Sequence, residues 1–471
     1  MRIFLHGFFK TQKYKMSSTG FQEKALQNRA AISIISPTSN ERLPVKQKLL
    51  DGRVVSVPPH QVAVLSEQPN LVIVNPQTSV PSGAFAGAET FCDFELPDQL
   101  HVITGLTLAM NMTFSDASGC SLAPTPYWCS RIEIYAGKDI VETLYNEAIY
   151  NDAIAWRDIQ NRREWADPLN FTADLDTAPP LNLQLPYENT STLTNAGSPA
   201  PLKFSSANNG QIFYLPLSCC LTQGKCFAAG FVVPFKIRAY FAPTIVDTSQ
   251  GTPTTRPTLQ QVQVWVSEQQ LSSVNFEAKL REHRNGNVLY KFVMKDRYMN
   301  AFNAGTGTQY TTQLKAFKSL CAGLVFTITD QDGNTNPNKA QLRRPTNAGS
   351  GSGSWDTVSA YSAPTITNAQ LLDAVGRRMT EVLPDTVLRR FIFPKHISSD
   401  YGTYKQQYLL PFSSDFGETV RNGVNLGYSQ LTTLEQLVLT PVSSGQVMLT
   451  VYAYNYATLS CNGGVPQITY T

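Results

Sequence analysis

Residues 106–114 read LTLAMNMTF, with Leu106, Leu108, Met110, Met112 and Phe114 alternating against Thr107, Ala109, Asn111 and Thr113. Successive side chains of an extended chain point to opposite faces, so this period of two predicts a strand with one buried face. The same period recurs in VPFKIRAYF at 233–241, in QVQVWV at 261–266 and in VMLTVYAY at 447–454. Four such strands, spread from one end of the chain to the other, predict an all-β protein.

Between them lie long polar stretches rich in Pro, Gly, Asn and Ser, notably 174–209 and 329–365. They exceed the loop length usual in a compact domain and are expected at the surface. GSGSGS at 349–354 lacks the Lys and following helix of a phosphate-binding loop, and reads as an exposed loop tip. One helix is expected at 367–384, where Thr367 and Gln370 form a capping-box pair. Leu371, Val375, Met379 and Val382 would share a face there, and Pro384 would end the helix. A weaker helical spacing links Ile140, Leu144 and Ala148 within 139–165.

The stretch 242–259, with three prolines and no apolar period, is the expected boundary between two similar halves. The sequence therefore predicts a basic arm at 1–50, a first jelly roll at 51–247, a linker at 248–258 and a second jelly roll at 259–471. Two tandem eight-stranded β-sandwiches with short helical insertions and long loops fit a chain of 471 residues.

Composition sharpens this. Charged residues make up 15% of the chain, against roughly a quarter in ordinary soluble domains. So poorly charged a surface suits a protein that hides much of its exterior in an assembly. Residues 1–50 hold nine Lys or Arg, among them Lys10, Lys13, Lys15, Lys24, Arg29, Lys46 and Lys48, against two Glu. Clustered cations of this kind suit a phosphate-bearing partner such as DNA or an anionic membrane face, and equally a solvated leader. MRIFLHGFF at 1–9 is too short an apolar run, interrupted by His6, for a secretion signal, and Met16 opens a second plausible start.

Catalytic signatures are missing. No C-x-x-C, H-E-x-x-H, G-x-S-x-G or G-x-G-x-x-G occurs, so neither a metal nor a cofactor is expected. Asp415-Phe416-Gly417 matches a kinase fragment without the rest of the kinase set. Most of the eight cysteines are expected to be reduced and buried. Trp265 with Tyr290, and the stripe Tyr452, Tyr454, Tyr456, read as packing first and as stacking platforms for sugars or bases second. Glu133 and Glu142 are nominal candidates for a glycosidase pair.

In segment order the chain resembles the double jelly-roll major capsid proteins of the adenovirus-like and nucleocytoplasmic large DNA virus lineage. The nearer likeness is to the polinton-like virus or virophage branch. It is carried by YKQQYLLPFSSD at 404–415, NGVNLGYSQLTTLEQLVLT at 422–440 and GQVMLTVYAYNYATLSCNGGVPQ at 445–467. Gly423, Asn425, Ser429, Tyr452, Ala453, Asn455, Tyr456, Gly463 and Gly464 occupy the positions of the family's closing motif. RIEIYAGKDIVETLYNE at 131–147 and the paired-strand segment 210–241 extend the likeness to the first half.

The resemblance implies a structural protein without enzymatic activity. It would form homotrimers of pseudo-hexameric outline that tile the icosahedral shell of a double-stranded DNA virus. Implied partners are neighbouring trimers, minor capsid and penton proteins, and packaged DNA or an internal membrane reached by the basic arm. The implied location is the virion, assembled inside the host cell rather than secreted. The alternative from the residues alone is a tandem β-sandwich that binds carbohydrate in the manner of a lectin.

Overall fold

A computed structural model describes residues 68–115, 125–152, 209–245, 256–330, 366–396 and 408–470, apart from 306, 316, 318, 443 and 444 within those ranges. It also describes Leu122 and the short strand pairs 45–48 with 54–57 and 172–173 with 183–184.

The first eight strands of the main body are β1 (Gln68–Val74), β2 (Thr90–Glu95), β3 (Val102–Thr113), β4 (Cys129–Ala136), β5 (Asp139–Tyr145), β6 (Ile212–Leu217), β7 (Phe235–Phe241) and β8 (Thr258–Gln270). They form two four-stranded antiparallel sheets, ordered β6-β3-β8-β1 and β2-β7-β4-β5. The next eight are β9 (Asn287–Ala304), β10 (Tyr310–Gln313), β11 (Leu320–Asp330), β12 (Ile366–Leu372), β13 (Leu383–Pro384), β14 (Tyr408–Pro411), β15 (Gln436–Pro441) and β16 (Gly445–Asn462). Their sheets run β14-β11-β16-β9 and β10-β15-β12-β13. Adding eight to every label of the first half reproduces the second, so the chain is two jelly rolls of one topology.

The alternation read in the sequence sets the faces. Leu106, Leu108, Met110, Met112 and Phe114 are buried in the first roll with Val262, Val264, Val266, Phe235, Ile237, Ala239 and Phe241. Val447, Leu449, Val451 and Ala453 fill the second with Leu324, Phe326 and Ile328. Each large aliphatic or aromatic side chain taken fully from water contributes about 1.5–3 kcal/mol, so these stripes carry most of the driving force for each sandwich.

Three sequence expectations fail. The strand β8, expected to open the second half at 259, pairs with β3 and β1 and closes the first roll. The connection between rolls is instead helix α3 (Ser273–Asn285), whose N-cap Ser272 accepts a hydrogen bond from the Asn275 amide. It follows helix α1 (Asn146–Tyr150) and helix α2 (Cys220–Gln223) in chain order. The proline-rich stretch thus separates β7 and β8 of one roll rather than the two rolls, because the last strand of a jelly roll must return to lie beside the first. The expected helix at 367–384 is β12, a turn through Gly376 at φ +80°, and the short strand β13. Its apolar residues do not share a face: Ile366, Ala369 and Leu371 are buried, while Val375 at the turn is 77% exposed. Pairing with β15 over Ile366–Leu372 outweighs a local capping signal. The helical spacing within 139–165 likewise resolves into β5 followed by α1.

Candidate functional site at the seam between the two rolls

The middle of the outer face of the sheet β14-β11-β16-β9 is covered by the first roll. Its rows, read from the register, are Arg297–Tyr452–Val325–Leu409 and Lys295–Tyr454–Gly323–Pro411. Tyr452, Tyr454, Tyr456, Val325 and Leu409 belong to the same apolar cluster as the core of the first roll, so one continuous core joins both sandwiches.

The first roll covers this face with residues that immediately follow its fifth and sixth strands. The Arg297 guanidinium lies 3.5 Å over the Tyr145 ring at the end of β5. Tyr452 donates its hydroxyl hydrogen bond to the Glu147 carboxylate of α1. Lys295 Nζ meets Asp152 Oδ2 at 2.6 Å and donates to the Ser218 carbonyl at 2.9 Å. The Val293 amide donates to Gln223 Oε1 of α2 at 2.8 Å.

Lys295 is the electrostatic centre of the seam. Its side chain is 0% exposed and that of Asp152 7%. Burial opposes its charge, yet Asp152 and Glu142 nearby raise its pKa, so it stays an ammonium. Glu142, on β5, accepts the Cys220 amide at 2.7 Å through Oε2, while Oε1 has no hydrogen-bond partner. Burial lifts its carboxyl to about 7, partly offset by Lys295 and the Cys220 amide. These groups border a cleft of about 670 Å³ between β5, β9 and the final strand β17 (Val465–Tyr470), lined also by Asp296, Met294 and Tyr470.

At the other end of the seam, α3 is clamped by its own histidine. His283 Nδ1 donates to the Lys279 carbonyl at 2.7 Å, which leaves Nε2 to accept from the Tyr290 hydroxyl at 2.5 Å. Burial lowers the His283 pKa and favours this neutral tautomer. Tyr290 in turn accepts the Phe227 amide at 3.2 Å, tying the linker helix to both rolls.

The expected motif residues lie partly along this seam and partly away from it. Gly423 ends helix α4 (Phe416–Asn422) at φ +65°, where an added Cβ would stand 3.1 Å from the Lys291 carbonyl of β9. Asn425 Oδ1 accepts the Gly427 amide, and Gly427 offers its carbonyl to the Tyr456 hydroxyl at 3.0 Å. Ser429 pairs with Cys321, and Ala453 is buried inside the second roll. Asn455 Nδ2 donates to Asp296 Oδ2 at 2.6 Å. Gly463 and Gly464, at φ +60° and +87°, make the two-residue turn into β17. There the Gly464 carbonyl accepts the Val232 amide of the first roll at 2.9 Å, and a Cβ on Gly464 would stand 2.6 Å from Val232 Cγ1.

Other expected residues part company. Lys10, Lys13, Lys15, Lys24 and Arg29 lie outside the described residues, and Lys46 and Lys48 sit on the paired strand 45–48. Glu133 and Glu142 do not face one another. Glu142 stands opposite Ile134 in the ladder, so it shares the face of Ile134, and Glu133 points to the other side. There Glu133 accepts from Tyr135, Tyr240 and Arg131. Tyr290 and the Tyr452, Tyr454, Tyr456 stripe are buried, which removes them as sugar platforms. Tyr240 is capped by the Arg131 guanidinium at 3.6 Å. Asp415 of the kinase-like fragment is the N-cap of α4, accepting the Glu418 amide at 2.9 Å.

The seven described cysteines are free and buried, and burial pushes Cys92 up to about 11 and Cys321 up to about 12. Among the described residues no three His, Cys, Asp or Glu side chains are placed to share a metal ion.

Sequence reading missed Lys295, Asp152, Glu147 and His283. The one signal was Lys295 following Phe292-Val293-Met294, a cation in an otherwise apolar run.

No protein-family model and no curated protein matches this sequence. Solved structures do. The crystal structure of PBCV-1 VP54, fitted into a cryo-EM reconstruction of the virophage Sputnik, superposes with a TM-score of 0.59 at 13% identity, over 86% of this chain and 97% of that one. The Faustovirus major capsid protein gives 0.56 at 10% identity, over 95% and 98%. The cryo-EM structure of the Sputnik virophage gives 0.52 at 11% identity, over 87% and 90%. The shared fold is the double jelly roll.

Proposed function

We propose that this double jelly-roll chain is the major capsid protein of a double-stranded DNA virus of the polinton-like or virophage branch. The observation that carries the reading is the pair of rolls of identical topology locked into one body by the seam. Three copies of such a body present six similar units, so a homotrimer has a pseudo-hexameric outline that tiles an icosahedral shell with one gene product. In this role the protein performs no catalysis. It works by packing against itself and neighbouring trimers in the virion, after assembly inside the host cell. Minor capsid and penton proteins complete the shell, and the basic arm meets packaged DNA or an internal membrane from within.

Light scattering on the size-exclusion peak tests this directly. The expected mass is about 156 kDa, three times the 52.0 kDa of the chain, with hexagonal outlines by negative-stain imaging. A monomer at every concentration would sink the reading and turn attention to a glycan array. A second expectation concerns the arm. Deleting 1–50 leaves the trimer intact while particle assembly or DNA contact is impaired, and failure of the truncated chain to trimerise would make the arm an assembly element instead.

A further inference from the structure

Two carboxylates line the cleft between β5, β9 and β17, Glu142 from the first roll and Asp296 from the second. Glu142 is 2% exposed, and the Cys220 amide uses only its Oε2, so Oε1 finds no partner among the described residues. Asp296 Oδ2 accepts from Asn455, whose own buried Oδ1 is likewise without a partner there. Two cations stand on the same wall, but both are engaged elsewhere. Lys295 is held by Asp152 and the Ser218 carbonyl, and the Arg297 guanidinium lies over the Tyr145 ring. Burial raises the pKa of both carboxylates, and Lys295 offsets this only in part at Glu142. Both also act on one group: the Tyr470 pKa is raised by burial first, then by Asp296 and Glu142, which places the two carboxylates around the same region of the cleft.

A buried carboxylate is ordinarily matched by a cation, and an orphaned buried oxygen by water, an ion or a ligand. The rest of the wall selects among cations. Ile140, Val141, Met294 and Ile468 are apolar, and the space of about 670 Å³ is far larger than a metal ion. Among the described residues no three His, Cys, Asp or Glu side chains are placed to hold such an ion. An ammonium on a short alkyl chain suits both parts, because its N–H groups donate to carboxylates while its methylenes leave water against aliphatic side chains.

We infer that this cleft binds a primary alkylammonium, whose nitrogen donates to Glu142 Oε1 and the Asp296 carboxylate and whose chain lies along Ile140, Met294 and Ile468. The ammonium is that of a free alkylamine or of a lysine side chain on another protein segment, and the recognition chemistry is the same for both. Its two carboxylates come from different rolls of one chain, so the site is complete in a single molecule and stands independently of the capsid reading.

Calorimetric titration of the full chain with 1,5-diaminopentane at pH 8 tests this, with magnesium chloride at equal ionic strength as the control. One saturable site per chain is expected for the diamine and none for magnesium. Glu142→Gln, which keeps the acceptor for Cys220, is expected to weaken binding about tenfold or more, the effect of losing one charge-assisted hydrogen bond. Wild-type binding is also expected to tighten about tenfold from pH 6 to pH 8, because the Glu142 carboxyl, near 7, must ionise to hold the ammonium. Lys295, Asp296 and Arg297 on β9, Tyr470 on β17, Asp152 after α1 and the thiols of Cys219 and Cys220 at α2 border Glu142 and are unchanged in the variant. The pH dependence lost in Glu142→Gln therefore reports Glu142 itself. Asp296→Asn, expected to weaken binding similarly, provides the reading should Glu142→Gln not fold. Nα-acetyl-lysine amide is titrated in parallel: equal affinity assigns the site to a lysine of a protein segment, and binding of the diamine alone assigns it to a small molecule. Absence of saturable binding by both amines, equal binding of magnesium, or variants that bind as the wild type does would each overturn the inference.

Discussion

Lys295→Met is expected to lower stability by about 3–5 kcal/mol, because it removes the ammonium that neutralises Asp152 while both sit almost wholly out of water. The strand itself loses little. Methionine is close to lysine in length, and Phe292, Val293 and Met294 keep their burial. What changes is the electrostatics of the seam. Asp152 loses its buried cation, the Ser218 carbonyl loses its donor, and Glu142 loses the cation that holds its pKa down. Chemical denaturation of the wild type and variant at pH 7 measures the difference. The double variant Lys295→Met with Asp152→Leu is expected to recover most of the loss, since a buried ion pair replaced by apolar groups of similar volume is often neutral or better. No recovery would mean that Lys295 acts through packing rather than charge.

Glu142→Gln is expected to remove a pH dependence of stability. The Glu142 carboxyl stands near 7 in the folded chain, against about 4.3 unfolded. The folded state therefore binds a proton more tightly, and its stabilisation is complete below pH ~4.3. It declines as the pH climbs and is lost above about 7, a change on the order of 3 kcal/mol. Glutamine keeps the acceptor for the Cys220 amide without a charge to desolvate. The stability of the wild type relative to Glu142→Gln should thus fall between pH 4.5 and 8, and equal slopes for the two chains would refute the assignment. This places a neutral-range titration at the joint between the two rolls.

Both effects depend on contacts that no local pattern announces. The period-two stripes at 106–114, 233–241, 261–266 and 447–454 were legible because alternation encodes which face is buried, whatever lies across the core. Gly423 and Gly463-Gly464, singled out in the sequence through a family resemblance, stand at backbone turns with positive φ. The strand at 366–372 was misread because Thr367 and Gln370 satisfy a helix start locally, and only pairing with β15 shows that they do not cap one. The extent of the first roll was misread because nothing in QVQVWV says which strands flank it.

The sequence by itself determined an all-β chain of two similar halves, a cationic composition over residues 1–50 and the absence of familiar catalytic signatures. These follow from composition and short-range period, which are properties of neighbours along the chain. Tertiary structure decided that β8 completes the first roll, that α3 joins the two, that Glu133 and Glu142 point apart, and that Lys295 meets Asp152. The physical reason is that a strand's alternation fixes its inward side but not its partner, and burial of the tyrosine face by the first roll joins residues far apart in the chain into one seam.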